Sequence, residues 1–400
     1  MIFSTHTKKA ILGILTIILA IVTYYLIPDG YGQAPIMASI VVIMAMCWIF
    51  EILPIPITSL LPIILFPLFE IIDAKTTASF YGKDMIFLFL GGLILAKALQ
   101  VSNLHQRIAL HILNIIGSQP SRLVLGFMIT TAFLSMWISN TSSVMVMMPI
   151  AISIIEQIKT KGEKNKIISK LAVSMMLGIA YSADIGGMAT LIGTPPNMVF
   201  MEMYHEMFPH LPAVSFTQWL MLGTPLSIAF LFSGWLLLTK VIFRIPKTNL
   251  FESKNIIKSQ LKGLGKVNHD EWLAGAVFGL VIVLWITGSD IRFTDNFIIK
   301  GWRSVFNLEM VSDASIAVGT AILLFMMPSK KRKNEMLLKW EHTKDLPWGI
   351  LLLFGGGFAL AGGFEASGLS KVIGTLFANV DVSSPITLVI IVCFLLTFLT

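Results

Sequence analysis

The chain is a succession of long apolar runs separated by short polar loops. The first four runs extend over 10–27, 34–50, 53–72 and 85–101, and each is close to the length that an α-helix needs to cross a bilayer. Of the 400 residues, 56% are hydrophobic and only 13% are charged, with a mean hydropathy of +0.82. This is far too apolar for a soluble chain of that length. The sequence therefore predicts an all-α polytopic membrane protein whose main surroundings are the lipid bilayer.

The basic residues lie in the loops between the apolar runs. Lys8 and Lys9 precede the first run, and the largest basic groups lie within 159–166, 244–266 and 330–333. Lys and Arg concentrate in cytoplasmic loops, so this bias accounts for the net charge of +7 without a nucleic-acid partner. It predicts a multi-pass protein of the inner (plasma) membrane with a cytoplasmic N-terminus.

Neither a disulfide framework nor an enzyme active site is indicated. The two cysteines, Cys47 and Cys393, lie far apart in apolar runs and are interpreted as packing residues. The sequence has no HExxH motif, no cluster of His or Cys, and no pair of acids that would indicate a hydrolase. We therefore expect that the protein is not an enzyme.

Two of the apolar runs contain polar or helix-breaking residues near their middle. Ser139, Asn140 and Thr141 interrupt the run from Leu123 to Ile155, and residues 186–197 read GGMATLIGTPPN. Glycines and a double proline cannot remain helical, and unwound backbone at membrane depth leaves carbonyl and amide groups free to bind a cation or an anion. The two segments together predict a binding site. The polar triplet alone is also typical of small side chains that hydrogen-bond to helix carbonyls.

The run from Pro120 to Gln157 either crosses the membrane once or forms a re-entrant hairpin with the triplet at its tip. Arg122 lies at its start, and several lysines follow its end within 159–166. Because basic residues mark the cytoplasm, both ends belong on the same side, which favours the hairpin. The preceding segment, His105 to Ile116, is amphipathic and too short to cross, so we expect an arm at the interface.

The last part of the chain repeats an earlier part at an offset of 265 residues. The matching positions are Gly91, Gly92, Leu95, Ala96, Ser102 and Leu104 with Gly356, Gly357, Leu360, Ala361, Ser367 and Leu369. Five predicted crossings separate the starts of the two copies, so the copies have opposite orientation, as in inverted-repeat secondary transporters with broken helices. The second copy is apparently truncated at Thr400, the partner of Ser135. A continuation would restore a second Ser-Asn-Thr triplet close to residues 404 to 406.

This organisation divides the chain into four segments. Residues 1–117 hold the first-repeat scaffold helices and the arm, and residues 118–204 hold the first hairpin and broken helix, which form a transport part. Residues 205–380 hold the second-repeat scaffold helices and arm. Residues 381–400 begin a second hairpin.

Three motifs carry a resemblance to a known family. The triplet, the IGTPPN stretch from Ile192 to Asn197 and the EILPIPITSLLP stretch from Glu51 to Pro62 resemble the divalent anion:sodium symporter family, over essentially all 400 residues. The resemblance implies sodium-coupled import of divalent anions, with C4 dicarboxylates such as succinate, malate or fumarate favoured. It also implies a homodimer that works by an elevator motion. A dicarboxylate exchanger, a citrate or sulfate symporter and a sodium/proton antiporter are the alternatives.

The resemblance also implies roles for individual residues. The positions that match sodium ligands are Ser135, Ser139, Asn140, the carbonyl of Gly193 and, in a second site, Thr400. The positions that match substrate-binding residues are Asn140, Thr141, Thr194 and Pro195. Independently, sodium prefers such hard oxygen ligands, and a bound cation attracts an anion without a buried Arg or Lys.

Three charged residues lie within or near the ends of apolar runs. Asp184 is the only acid close to the two motifs, and it is either a coupling group for a proton or cation or an acid facing a wet crevice. Lys97 and Glu365 lie near helix ends, where long side chains reach toward the interface.

Overall fold

The computed structural model describes residues 5–28, 30–116, 119–159, 165–208, 210–211, 214–245, 253–294, 297–378 and 385–399. The chain forms two compact units, Lys83–Leu351 in one and Met1–Gly82 with Leu352–Thr400 in the other. Within the described residues, six helical segments, some built from more than one helix, are long and apolar enough to cross a bilayer: Thr7–Leu26, Ala74–Val101, Ile167–Gly187, Phe216–Ile242, His269–Ile286 and Trp348–Ala366. The predicted helical, multi-pass membrane protein is confirmed at this level.

The helices are numbered here in chain order. As far as Ser79 they are α1 (Thr5–Leu26), α2 (Ala34–Ile49), α3 (Ile55–Thr58), α4 (Leu61–Leu68) and α5 (Ala74–Ser79). The next group is α6 (Asp84–Val101), α7 (Leu104–Ile116), α8 (Pro120–Ser135), α9 (Asn140–Lys159), α10 (Asn165–Gly187) and α11 (Pro195–Met207). The remainder are α12 (Phe216–Leu236), α13 (Ser253–Gly263), α14 (His269–Ile286), α15 (Trp302–Val305), α16 (Asp313–Met326), α17 (Trp348–Ala366), α18 (Leu369–Ala378) and α19 (Pro385–Leu399). A π-helical turn, Leu237–Ile242, extends α12.

Two features differ from the sequence-based expectation. The apolar run 53–72, predicted as one span, is two short helices, α3 and α4, because Pro62, in the first turn of α4, has no N–H to donate to the preceding turn and so favours a helix start there. In addition, a small antiparallel hairpin pairs β1 (Ile291–Thr294) with β2 (Phe297–Ile299), so the chain is not purely helical. The prediction of a helical membrane protein is otherwise unchanged.

The corner between α6 and α7 recurs between α17 and α18 at the offset of 265 residues. In the first corner Ser102 accepts a hydrogen bond from the backbone N–H two residues on, at 3.4 Å, and Ser367 does the same at 3.3 Å. Between them, Asn103 and Gly368 both have positive φ, 65° and 79°. Asn and Gly are the residues that tolerate this conformation. The local structure thus repeats with the sequence, and the opposite orientation of the copies stays a prediction.

The amphipathic arm predicted at 105–116 is α7, and a buried ion pair fixes it. Arg107 Nε lies 3.0 Å from Glu271 Oε2 at the start of α14, and both side chains are less than 10% exposed. The remaining guanidinium nitrogens donate to the carbonyls of Leu264, Gly265 and Lys266, in the loop between α13 and α14. A buried charge of this kind is tolerated because each nitrogen of the guanidinium group has an acceptor.

Candidate functional site: a polar hairpin tip facing a broken helix

Helices α8 and α9 form the predicted helical hairpin. Gly178 of α10 packs against Val124 and Met128 of α8, whereas Gly186 packs against Ala132, further along both helices. Helices α8 and α10 therefore run in the same direction. Because α9 leads from the end of α8 to the start of α10, it runs back, and the tip of the hairpin comprises residues 136–139.

The tip is held by its own serines and by the broken helix. Ser139 caps α9: its hydroxyl accepts from the backbone N–H of Ser142 at 3.3 Å and donates to the Ser142 hydroxyl at 2.8 Å. The Thr190 hydroxyl, within the helix break, donates to the carbonyl of Met136. This hydrogen bond holds the tip against the helix break, the second segment of the predicted binding site.

Three oxygen atoms from different elements meet at the end of α8. The Oγ of buried Ser135 lies 2.7 Å from Asn140 Oδ1 and 2.6 Å from the carbonyl oxygen of Ala183. A hydroxyl carries one proton, so it donates to only one of these two acceptors. The other acceptor keeps a free lone pair beside the Ser135 oxygen, which is the type of ligand set that a hard cation prefers. The carbonyl of Ala183 was not predicted, since any residue type supplies one.

The second broken segment lies between α10 and α11. A Cβ added to Gly193 would lie 2.5 Å from the carbonyl oxygen of Gly187, so the two backbone segments approach too closely for a larger residue. Asn197 spans the break, because its amide nitrogen donates to the carbonyl oxygens of Gly187 at 2.9 Å and Thr190 at 2.7 Å. The carbonyl of Thr190 also accepts from the backbone N–H of Gly193 at 3.3 Å, and Asn197 adds side-chain hydrogen bonds where the helix is interrupted. Asn197 is the last residue of the IGTPPN motif, and the sequence alone did not indicate that it bonds across the helix break.

Asn140 joins the hairpin to the broken helix. Its Nδ2 donates to Asp184 Oδ1 at 2.8 Å, and its Oδ1 faces both Ser135 and Gly187. Asp184 is exposed rather than buried. The structure thus brings Asp184 into the predicted site and gives it a partner there.

A cavity of about 210 Å³ lies beside these residues. The hairpin tip contributes Trp137, Ser139, Asn140 and Thr141, the break contributes Ile192, Gly193 and Pro195, and the remaining lining residues are Phe89, Gly92, Leu93, Ala96, Pro347 and Ile350. Of the predicted substrate residues, Asn140, Thr141 and Pro195 line it, whereas Thr194 lies against Gly187. Among the described residues that line the cavity none is charged, and Thr400 lies outside the described residues.

These features define a class of protein: a multi-pass membrane transporter whose hairpin tip and broken helix border one small cavity. The model of the citrate transporter family matches residues 45–400, and the chain belongs to that family. The match to a transporter family agrees with the expectation that the protein is not an enzyme.

Curated relatives agree with this assignment. The chain is 39% identical over 395 residues to the sodium-dependent dicarboxylate transporter SdcS of Staphylococcus saprophyticus, covering 98% of this chain and 73% of the relative. It is 43% identical over 347 residues to SdcS of Staphylococcus aureus, covering 86% of this chain and 64% of the relative. The resemblance to the divalent anion:sodium symporter family is thereby confirmed.

Proposed function

We propose that the protein is a sodium-coupled importer of small dianions, with C4 dicarboxylates such as succinate, malate or fumarate as its substrates. The observation that carries the proposal is an oxygen cluster at the tip of the hairpin, next to a cavity whose described lining residues carry no charge. The names of the two relatives support both the ion and the substrate class.

Sodium would bind between the hairpin and the helix break. The oxygen ligands available there are Ser135 Oγ, Asn140 Oδ1 and the carbonyl oxygens of Ala183 and Gly193. All four are neutral hard oxygens, which fit sodium, and this set contains no imidazole nitrogen or thiolate, the ligands that softer transition metals prefer. Ser139 contributes by capping α9 rather than by a contact that the structure gives to this cluster.

The dianion would bind in the cavity, where bound sodium supplies the positive charge. Helices α9 and α11 begin at Asn140 and Pro195, both lining residues, and helix N-termini favour anions. Asn140 and Thr141 offer amide and hydroxyl donors to this cavity, and Thr194, which lies against Gly187 between the lining residues Gly193 and Pro195, would supply a further hydroxyl. A cavity of about 210 Å³ is smaller than the ~300–1,000 Å³ of sites for drug-sized ligands, which favours a small substrate.

The hydrogen bond between Asn140 and Asp184 supports a second candidate, coupling to protons. Asp184 accepts a hydrogen bond from Asn140, which is itself a proposed sodium ligand. Protonation of Asp184 would therefore change the hydrogen bonds available to Asn140. Asp184→Asn keeps an oxygen acceptor for Asn140. Sodium-driven uptake should therefore persist in this variant if sodium is the coupling ion. A loss of all ion-driven uptake would favour proton coupling through Asp184.

Family membership supports the remaining parts of the proposal. The hairpin and broken helix, within 118–204, would form the mobile part of an elevator, and scaffold helices within 1–117 and 205–380 would form a homodimer with a second copy. Residues 381–400 would begin the second hairpin. Exchange of dicarboxylates, and symport of citrate or sulfate, are the competing activities of the same site.

Uptake into proteoliposomes tests the proposal directly. Labelled succinate, citrate and sulfate are offered separately, with an inward sodium gradient, with equal sodium on both sides, and with choline in place of sodium. We expect succinate uptake that requires the sodium gradient. Uptake only against internal dicarboxylate would indicate an exchanger, and uptake driven by a pH gradient would favour the role of Asp184.

A further inference from the structure

One face of α6 forms a wall of the cavity. Its lining residues, Phe89, Gly92, Leu93 and Ala96, are spaced three and four apart, as expected for a single helical stripe. Lys97 directly follows Ala96 and lies four residues, about one helical turn, beyond Leu93. It therefore continues the stripe of Phe89 and Leu93 on the same side of the helix. The position closest to the cavity along α6 that carries a positive charge is therefore Lys97.

The two side chains of the ion pair between Lys97 and Asp345 differ in their exposure to solvent. Lys97 Nζ lies 3.3 Å from Asp345 Oδ2, and its side chain is 18% exposed, whereas that of Asp345 is 80% exposed. An exposed carboxylate is well solvated and contributes little to such a pair. The half-buried ammonium group has lost much of its water and gains from a further anion. Lys97 directly follows the lining residue Ala96, and Asp345 precedes the lining residue Pro347 by two positions, so both members of the pair are neighbours of lining residues along the chain.

The loop that carries Asp345 is positively charged. Between α16 and α17, residues 327–347 contain six Lys or Arg residues and three acids. Burial and the positive charges of Arg332, Lys97 and Lys339 lower the pKa of His342 in this loop, with burial the largest cause. Lys97 and the loop thus act on the same side chain and create one region of positive potential.

We propose that Lys97 is a docking position for a carboxylate of the substrate at the edge of the cavity, where the dianion replaces Asp345. This inference rests on the proposed function and adds a specificity-determining residue to it. The cavity has no charged lining residue among those described, so Lys97 supplies the charge that guides a dianion to and from the sodium-dependent site. Asp345 acts as the exchangeable counter-ion, which pairs with Lys97 until a carboxylate of the substrate displaces it.

Titration calorimetry of the purified protein with succinate, at saturating sodium, tests this assignment. For Lys97→Met we expect an affinity for succinate that is lower by on the order of 3- to 10-fold, with a smaller difference at high ionic strength. Lys97→Arg keeps the charge and should bind nearly as the unmodified protein does. Lys339→Met is the matched control, because Lys339 is paired with Glu335 in the same loop.

The variant Asp345→Asn distinguishes docking from a structural role, because the two roles predict opposite changes in the affinity for succinate. If Asp345 competes with the substrate, its removal should strengthen succinate binding by about 2- to 3-fold. If the pair only holds α6 to the loop, both Lys97→Met and Asp345→Asn should weaken binding and lower the melting temperature. Equal effects of the two variants, or unchanged affinity in Lys97→Met, overturn the inference and leave the proposed function standing. A lack of succinate binding by the unmodified protein overturns the proposed function and the inference together.

Discussion

Asn140 contacts more parts of the site than any neighbouring side chain that the structure describes. Its amide oxygen faces Ser135 and Gly187, and its amide nitrogen bonds to Asp184. For Asn140→Ala we expect loss of succinate uptake to below about a hundredth of the normal rate, because both the cation and the anion lose a ligand. The melting temperature in the absence of ligands should change little, since the residue is only partly buried. Uptake within about twofold of normal would contradict the assignment of the site.

Local residues of the site were predictable, and their distant partners were not. The triplet and IGTPPN were recognisable because polar groups and prolines are rare in apolar runs. The sequence left Asp184 open as either a coupling group or an acid facing a wet crevice, and it did not indicate the 2.8 Å contact of Asp184 with Asn140, 44 residues away. Lys97 was expected only to reach the interface. Its partner Asp345 is 248 residues distant, and no local pattern encodes such a pairing.

At the scale of elements, the helix break depends on the close approach of two glycines. For Gly193→Ala we expect destabilisation of about 1–3 kcal/mol and weaker sodium binding, because the new Cβ would meet the carbonyl of Gly187 at 2.5 Å. Gly279→Ala in α14 is the matched control, since nothing lies within 4 Å of its added Cβ. There we expect equal or slightly greater stability, because alanine favours a helix. Thermal unfolding with and without sodium measures both effects, and equal stability of the two variants would contradict the assignment.

The arm helix α7 depends on one buried ion pair. For Arg107→Gln we expect a loss of about 3–5 kcal/mol, because Glu271 is left charged and buried and three carbonyl oxygens lose a donor. Lys371→Gln, on the exposed side of the corresponding arm α18, is the control and should be nearly neutral. A small effect of Arg107→Gln on the melting temperature would mean that water replaces the missing partners.

Charge and periodicity predicted the elements unevenly. Basic flanks favoured a hairpin for 120–157, and the parallel direction of α8 and α10 agrees with it. The run 53–72 was predicted as one span, and the structure divides it into two short helices, because hydropathy registers proline as a minor interruption whereas each proline removes a backbone donor. Hydropathy measures transfer to lipid and contains no information on backbone hydrogen bonds.

At the scale of the whole molecule, topology is open to a direct test. After replacement of Cys47 and Cys393 by alanine, single cysteines at Gln119, Lys170 and His205 are labelled from either side of the membrane. The first two precede or begin helices that run in parallel and should react from the cytoplasm, whereas His205, beyond the broken helix, should react from the outside. Labelling of Gln119 and Lys170 from opposite faces would contradict both the hairpin and the predicted inverted repeat.

Coupling between sodium and substrate is a property of the whole molecule that binding linkage measures. If sodium completes the anion site, succinate should raise the melting temperature in sodium and have little effect in potassium or choline. By reciprocity, succinate should lower the sodium concentration required for half-maximal stabilisation, by about 5- to 150-fold for a typical coupling of 1–3 kcal/mol. The matched control is Asn140→Ala, in which the linkage should vanish because that side chain faces both proposed ligands. Equal stabilisation by succinate in all three salts would show that sodium does not prepare the site, and Asp184 would then be the first residue to examine for proton coupling.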